Sequence, residues 1–343
     1  MNDVIKYRID ILRQGIFNRE AKWTADSSPQ IDFKALSPIK SSFKCELLED
    51  IDLNQEELAP MLYRNGQWFN LGVFRPTTIS VSGDEYSKRY NIEAYDRAWL
   101  LKTQKIESII HLSAGTPYMT AIQNLLHEAG INLVTKDASS ALIPVDREDW
   151  QIGTDYLTII NTLLNEIGFN DVWFDSIGAA HLDKYKPITS IAAKHRYSVT
   201  DITLDPISSE YETEEDIYNA PNVFIAICQN ADRTDTLVAR AENDSGISRK
   251  STVIRGIRIP QVTKINQISD LESLQTVVDK LRDESMYGTK TISFETYAEG
   301  NHGLRDIVAI DHPDLFGSYE EIEWSITMDP AGLMSHKARK AVL

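Results

Sequence analysis

The sequence predicts a β-rich α+β fold, with β-rich regions at its start and finish and small α+β segments set between and within them. Three observations carry that prediction. From Ile5 to Ile11 apolar and polar residues alternate, a period of two that buries one face of a strand and wets the other. Pro60-Met61-Leu62-Tyr63-Arg64, then Asn65-Gly66, then Gln67-Trp68-Phe69 reads as a β-hairpin, because Asn-Gly supplies the two positive-φ positions of a type I′ turn. Residues 114–131 and 152–169 are two copies of one amphipathic helix.

In the first region, residues 1–105, the opening strand sets Ile5, Tyr7, Ile9 and Ile11 against Lys6, Arg8 and Asp10. A second strand runs through Phe43, Cys45 and Leu47, and extended runs are expected at 77–81 and 90–101 after the hairpin. So many short strands suit a small barrel or sandwich. The second region, residues 106–202, is marked by the repeat. AGTPYMTAIQNLLHEAGI aligns with IGTDYLTIINTLLNEIGF at nine of eighteen positions, the signature of a duplicated half-domain. Thr116 and Thr154 are placed to cap the helices, Pro117 suits a first helical position, and Gly130 and Gly168 suit left-handed closing residues. The apolar stripe Met119, Ile122, Leu125, Leu126, Ala129 corresponds to Leu157, Ile160, Leu163, Leu164, Ile167. Short strands are expected at 171–175 and 180–185.

Residues 203–221 are acidic and irregular and read as a linker. The last region, 222–343, should hold strands at 223–228 and 236–241 and a helix over 269–286. Ser269 and Glu272 form a capping box for that helix, and Leu271, Leu274, Val277, Val278 and Leu281 form its stripe. Strands are expected at 291–297, 306–310 and 321–328. Ile322, Trp324, Ile326 and Met328 face inward in the last of them, and a short basic segment at 336–340 follows.

Composition narrows the function. The 343 residues are 42% apolar and 25% charged, which suits two or three globular domains. No run approaches the roughly 20 apolar residues of a membrane helix, and the N-terminus lacks the basic and apolar parts of a secretory signal. Cys45 and Cys228 sit in strand-like apolar contexts and are expected to be reduced and buried. With 51 acidic and 35 basic residues the net charge is −16, the wrong sign for gripping phosphates. That charge is compatible with DNA passing through a lumen without specific binding, and equally with simple solubility.

Motifs of catalysis are missing: no phosphate-binding loop, dinucleotide fingerprint, zinc-protease helix or nucleophile elbow is present. His302, Asp306, Asp311 and His312 cluster within eleven residues, yet their spacing fits no metal motif. No metal or cofactor is therefore expected. Asp146, Glu148 and Asp149 precede the second repeat helix, where acids suit a helix start, and no catalytic residue is assigned. Tyr63, Trp68 and Phe69, around the hairpin tip, either pack within the hairpin or form a protein-docking patch, and they are the interface candidates.

Several stretches resemble the central hub proteins of contractile phage tails and tail-like bacteriocins, especially those of Gram-positive prophages. They are Tyr90-Asn91-Ile92-Glu93-Ala94-Tyr95-Asp96 ahead of the paired helices, and Asn170-Asp171-Val172-Trp173-Phe174-Asp175 with Gly178. Asp216-Ile217-Tyr218-Asn219-Ala220-Pro221-Asn222-Val223 is a third, and the end from Trp324 through Gly332-Leu333-Met334-Ser335-His336-Lys337 is the last. The resemblance implies a non-enzymatic virion or particle component, assembled in the host cytoplasm. It further implies a homotrimer with two similar barrels per chain, whose pseudo-six-fold ring joins a six-fold tail tube to a three-fold spike. The chain stops soon after its last strand, so no appended lysozyme, peptidase or needle domain is expected, nor a membrane anchor. A cell-wall or polysaccharide hydrolase using paired carboxylates, or a carbohydrate-binding receptor module, are the alternatives.

Overall fold

The computed structural model describes residues 4–24, 27–84, 87–201, 204–208, 210–215, 220–229, 236–287, 290–329 and 332–340. The first β unit comprises β1 (Lys6–Arg13), β2 (Ile16–Glu20), β3 (Gln30–Lys34), β4 (Ser41–Leu47), β5 (Glu56–Arg64), β6 (Gln67–Asn70), β7 (Arg75–Gly83) and β8 (Lys88–Tyr95). Its strands fall into two sheets. One is β2-β1-β5-β6, and the other carries β3-β4-β8-β7. Ile9, Ile11, Leu58 and Leu62 from the first pack on Ile31, Phe33, Phe43, Cys45, Leu47 and Ile92 from the second. The hairpin turn is the expected one, with Asn65 at φ 52° and Gly66 at φ 83°.

The helical unit follows: α1 (Ala98–Thr103), α2 (Tyr118–Glu128), β9 (Val134–Lys136), α3 (Tyr156–Asn165), β10 (Trp173–Phe174) and β11 (Ala180–Leu182). The extended run expected to reach residue 101 ends at Tyr95, because Asp96 accepts the backbone N–H of Ala98 and starts α1. Both repeat stripes are buried in one shared core, and Gly130 and Gly168 are left-handed at φ 85° and 72°. The caps differ from expectation. Pro117 stands at the N-cap of α2 without a side-chain bond. Asp155 caps α3, its carboxylate accepting from Thr158 N at 2.9 Å. Thr116 and Thr154 instead pair through their backbones with an extended segment contributed by the other half. Ile143 N donates to Thr116 O, and Ile106 N donates to Thr154 O, each at 3.0 Å.

Next come β12 (His195–Ser198), β13 (Asp205–Pro206) and β14 (Glu212–Glu215). The stretch read as a linker thus contributes two short strands, one on β12 and one on a later strand. Six residues of it lie outside the described residues, Asp216, Ile217, Tyr218 and Asn219 among them, so that part of the third family-like stretch is not placed. A separate α/β unit is built from β15 (Val223–Cys228), β16 (Leu237–Glu242), α4 (Thr252–Arg255), β17 (Pro260–Ile265) and α5 (Leu271–Tyr287). Its sheet is β16-β15-β17, and Leu274 and Val278 of α5 cover Phe224, Ala226 and Cys228. Asp270, not Ser269, caps α5 by accepting from Ser273 N at 2.7 Å. Cys45 and Cys228 are both buried, and burial lifts the Cys45 thiol to about 12.

The chain then closes on itself with β18 (Lys290–Tyr297), β19 (Ile307–Asp311), β20 (Gly317–Thr327) and β21 (Leu333–Lys340). The segment read as a basic terminus is strand β21, with Met334, His336 and Ala338 buried in alternation. Along one edge of β20, residues 317–320 pair with β19 and residues 323–327 pair with β3. Among the described residues this makes one eleven-stranded sheet, with the path β13-β12-β19-β20-β3-β4-β8-β7 and with β21, β18 and β14 attached. Strand pairing therefore crosses the region boundaries drawn from the sequence. The first and last parts of the chain share a sheet, and the helical and α5 units are insertions into it.

Candidate functional site

At the hairpin, the three aromatic candidates separate. Tyr63 and Trp68 are cross-strand partners with ring centroids 5.2 Å apart. The Arg8 guanidinium lies 4.4 Å from the Trp68 ring and the Lys6 ammonium 5.8 Å from Tyr63, a cation–π arrangement on the outer face. Phe69 turns the other way, against the core, and a β-carbon on Gly300 would come within 2.6 Å of Phe69 Cβ. A half-buried Tyr63–Trp68 pair is what remains at the surface.

The densest polar chemistry lies where β20 changes partners. A bulge on β20 shifts its register against β21 between Glu321 and Glu323. Through it Tyr319, Glu320, Glu321 and Ile322 are buried in a row, and alternation resumes with Trp324 and Ile326, since an extra residue disrupts the ladder locally. One of the four, Glu321, is a carboxylate with no exposed surface. Glu321 Oε2 accepts from His302 Nδ1 at 2.7 Å and Oε1 from His336 Nδ1 at 2.5 Å. Burial alone would raise the Glu321 carboxyl, but the two imidazoles outweigh it and hold the group down at about 2. Burial wins at His336, which is shifted below the usual imidazole value although Glu321 pulls the other way. His336 also meets Thr296 Oγ1 at 2.8 Å and stacks on Phe294, centroids 4.7 Å apart.

His302 stacks in turn on His195 of β12, with centroids 3.9 Å apart and planes 4° from parallel. His195 Nδ1 faces Glu299 Oε2 at 3.3 Å, and its Nε2 lies 3.8 Å from Asp306 Oδ2. Burial disfavours the His195 cation, but Asp306 and Glu299 prevail and raise it to about 9. The sequence cluster is thus half right as a grouping. His302 and Asp306 come together. Asp311, however, accepts from Ser198 Oγ at 3.1 Å, and His312 Nδ1 accepts from Asp314 N at 3.1 Å. Sequence reasoning missed His195, Glu299, Glu321 and His336. His195 arrives because parallel pairing of β12 and β19 sets it beside Val308, a long-range register that no local spacing encodes.

A cleft of about 790 Å³ opens between the helical and α5 units, lined by Arg147, Glu148, Asp149, Glu166, Lys264 and Lys280 among others. At its wall Glu166 is raised to about 7 by burial, against the pull of Arg147. Both its oxygens are taken, Oε1 by Arg147 at 2.7 Å and Oε2 by the Tyr118 hydroxyl at 2.9 Å. Of the acids flagged ahead of α3, Asp146 accepts from Ala114 N at 2.8 Å and Asp149 meets His111 Nδ1 at 2.7 Å. Glu148 lines the cleft without a site around it.

These buried ties belong to a β-rich α+β fold in which ionisable groups hold strands and units together. Comparison with solved structures places that fold. The chain is similar over 98% of its length to 97% of the tail protein from Neisseria meningitidis MC58, at 14% identity and a TM-score of 0.68. It matches the 43 kDa tail protein of prophage MuSo2 from Shewanella oneidensis over 97% of this chain and 98% of that one, at 12% identity and TM-score 0.66. Prophage tail protein gp18 from Listeria monocytogenes EGD-e aligns over 97% and 94% respectively, at 12% identity and TM-score 0.58. No family model and no curated protein matches the sequence. The chain has the fold of phage tail proteins, end to end.

Proposed function

We propose that this chain is the structural hub of a contractile tail or tail-like particle, a trimer whose ring joins a six-fold tube to a three-fold spike. The reading rests on one observation above the others: near-complete, two-way coverage of a tail protein and a prophage tail protein, with both β units and both insertions inside the alignment. The joint on β20, where a strand pairs half with β19 and half with β3, suits two β units fused rigidly enough to act as neighbouring sectors of one ring. Tyr63 and Trp68 are the proposed contact with a neighbouring tail chain, a rigid aromatic pair of the kind that anchors interfaces. The acidic surface suits DNA passage without adhesion. Assembly takes place in the host cytoplasm and the product resides at the particle's baseplate. The reading is non-enzymatic because Glu166 and Glu321, two strongly perturbed buried carboxylates, have both oxygens engaged by the protein itself.

Light scattering with negative-stain imaging of one purified fraction tests this. The expected result is three chains per particle in a ring with a central hole. A two-fold dimer would overturn it, because isologous symmetry cannot join six-fold to three-fold rings. A cleared peptidoglycan zymogram that Glu166→Gln abolishes would establish the hydrolase instead.

A further inference from the structure

We propose that His195, His302 and Asp306 form a binding site for one divalent transition-metal ion, zinc by preference, which staples β12 to the connection between β18 and β19. Two observations point there independently. The first is the pair of orphaned nitrogens. His195 and His302 have side chains 5% and 1% exposed, and the Nε2 atom of each is buried without a hydrogen-bond partner. A buried polar atom without a hydrogen bond is costly; His302 Nε2 has none and His195 Nε2 has only the 3.8 Å ion pair with Asp306, so the two beside each other call for an occupant. The ligand-capable atoms of the three residues lie within 4.8 Å of one another. The separation of His195 Nε2 from Asp306 Oδ2, 3.8 Å, is too long for a hydrogen bond. It is close to the roughly 3.3 Å that separates two ligands each about 2.0–2.1 Å from a tetrahedral ion.

The second observation is the shell behind those nitrogens. His302 Nδ1 donates to Glu321 at 2.7 Å and His195 Nδ1 faces Glu299 at 3.3 Å. A carboxylate on the far nitrogen is the arrangement that backs metal-ligating histidines, and at His195 the ion takes the place of the Nε2 proton that Asp306 and Glu299 otherwise hold there. Asp306 is held likewise, its Oδ2 accepting from Gly303 N at 2.6 Å and Lys194 Nζ at 2.8 Å. The connection bearing His302 and Asp306 has non-glycine residues at positive φ on either side of His302, Asn301 at 68° and Arg305 at 58°. Backbone of that kind persists where the surroundings over-determine it. Asp306 is 14% and Lys194 44% exposed, which leaves a route in from solvent. Two imidazoles and one carboxylate suit zinc and its first-row neighbours better than magnesium or calcium. Binding turns the two rings out of their parallel stack until both lone pairs meet the ion.

The test uses the full chain, stripped of metal and then given zinc or cobalt(II). One ion per chain should remain after dialysis, zinc should raise the melting temperature by roughly 5 °C, and cobalt should give the visible absorption of a tetrahedral site. His302→Asn and Asp306→Asn, checked for folding by circular dichroism, should each lose the ion. X-ray absorption at the zinc edge needs no variant, and it should report two imidazoles with oxygen completing the shell. No retained ion, or an all-oxygen shell, overturns the proposal. So does equal zinc in the two variants, which would put the ion elsewhere, as at His181 between Asp175 and Asp183.

Discussion

The helical repeat and the histidine–carboxylate cluster are both buried, but they hold the chain together by opposite means. In the repeat, two copies of one apolar stripe interlock, and its strength is area removed from water, about 25 cal/mol per Å². In the cluster, an ionised carboxylate with no exposed surface is sustained by two imidazole donors that β21 and the connection after β18 bring to it. The first is redundant, since many side chains share the load. The second depends on every partner being present, because a half-satisfied buried charge is worse than none.

Glu321→Ala is the sharpest way to break the contrast. It leaves two buried N–H groups without an acceptor and should destabilise the chain by about 3–5 kcal/mol in denaturant unfolding. A loss under about 1 kcal/mol would mean that water fills the gap and the cluster is not a tie. Leu126→Ala and Leu164→Ala, at equivalent places in the two copies and both fully buried, should each lose about 2–5 kcal/mol. Similar losses at the two sites would sharpen the view of α2 and α3 as one environment repeated.

The pH dependence separates the copies. Glu166 is buried and raised to about 7. A raised folded pKa makes its contribution full below the unfolded value, near 4.5, and lost as pH rises through 7. Melting temperatures from pH 5 to 8 should therefore fall, and Glu166→Gln should flatten that slope, an effect on the order of 2 kcal/mol. An unchanged slope in the variant would assign it to other groups. The smallest effect lies at the caps. Asp155→Ala should cost about 1 kcal/mol, whereas Thr116→Ala, where no side-chain cap bond exists at α2, should change stability by less than about 0.5 kcal/mol.

The same contrast explains what could be read in the sequence. The repeat, the Asn65-Gly66 turn and the alternation through Trp324 and Met328 are local patterns, so their periodicity carries them. The caps were misassigned by one residue because Asp155 and Asp270 stand next to equally plausible Thr154 and Ser269. The cluster was illegible for a different reason. Glu321 sits at a bulge where four residues in a row are buried, so the pattern that correctly buries Ile322, Trp324 and Ile326 puts Glu321 on the wet side. The members of the cluster come from four separate stretches aligned only by long-range pairing. A sheet shared between the chain's beginning and end is hidden likewise, because nothing near Ile31 announces that it will lie beside Ile326.

The most direct test of the hub reading is the copy number and position of this chain in intact tail particles purified from a strain that carries its gene, by quantitative mass spectrometry and cryo-electron microscopy. The account predicts three copies per particle at the spike end of the tube. Absence from the particle, or copies in multiples of six along the tube, would contradict it.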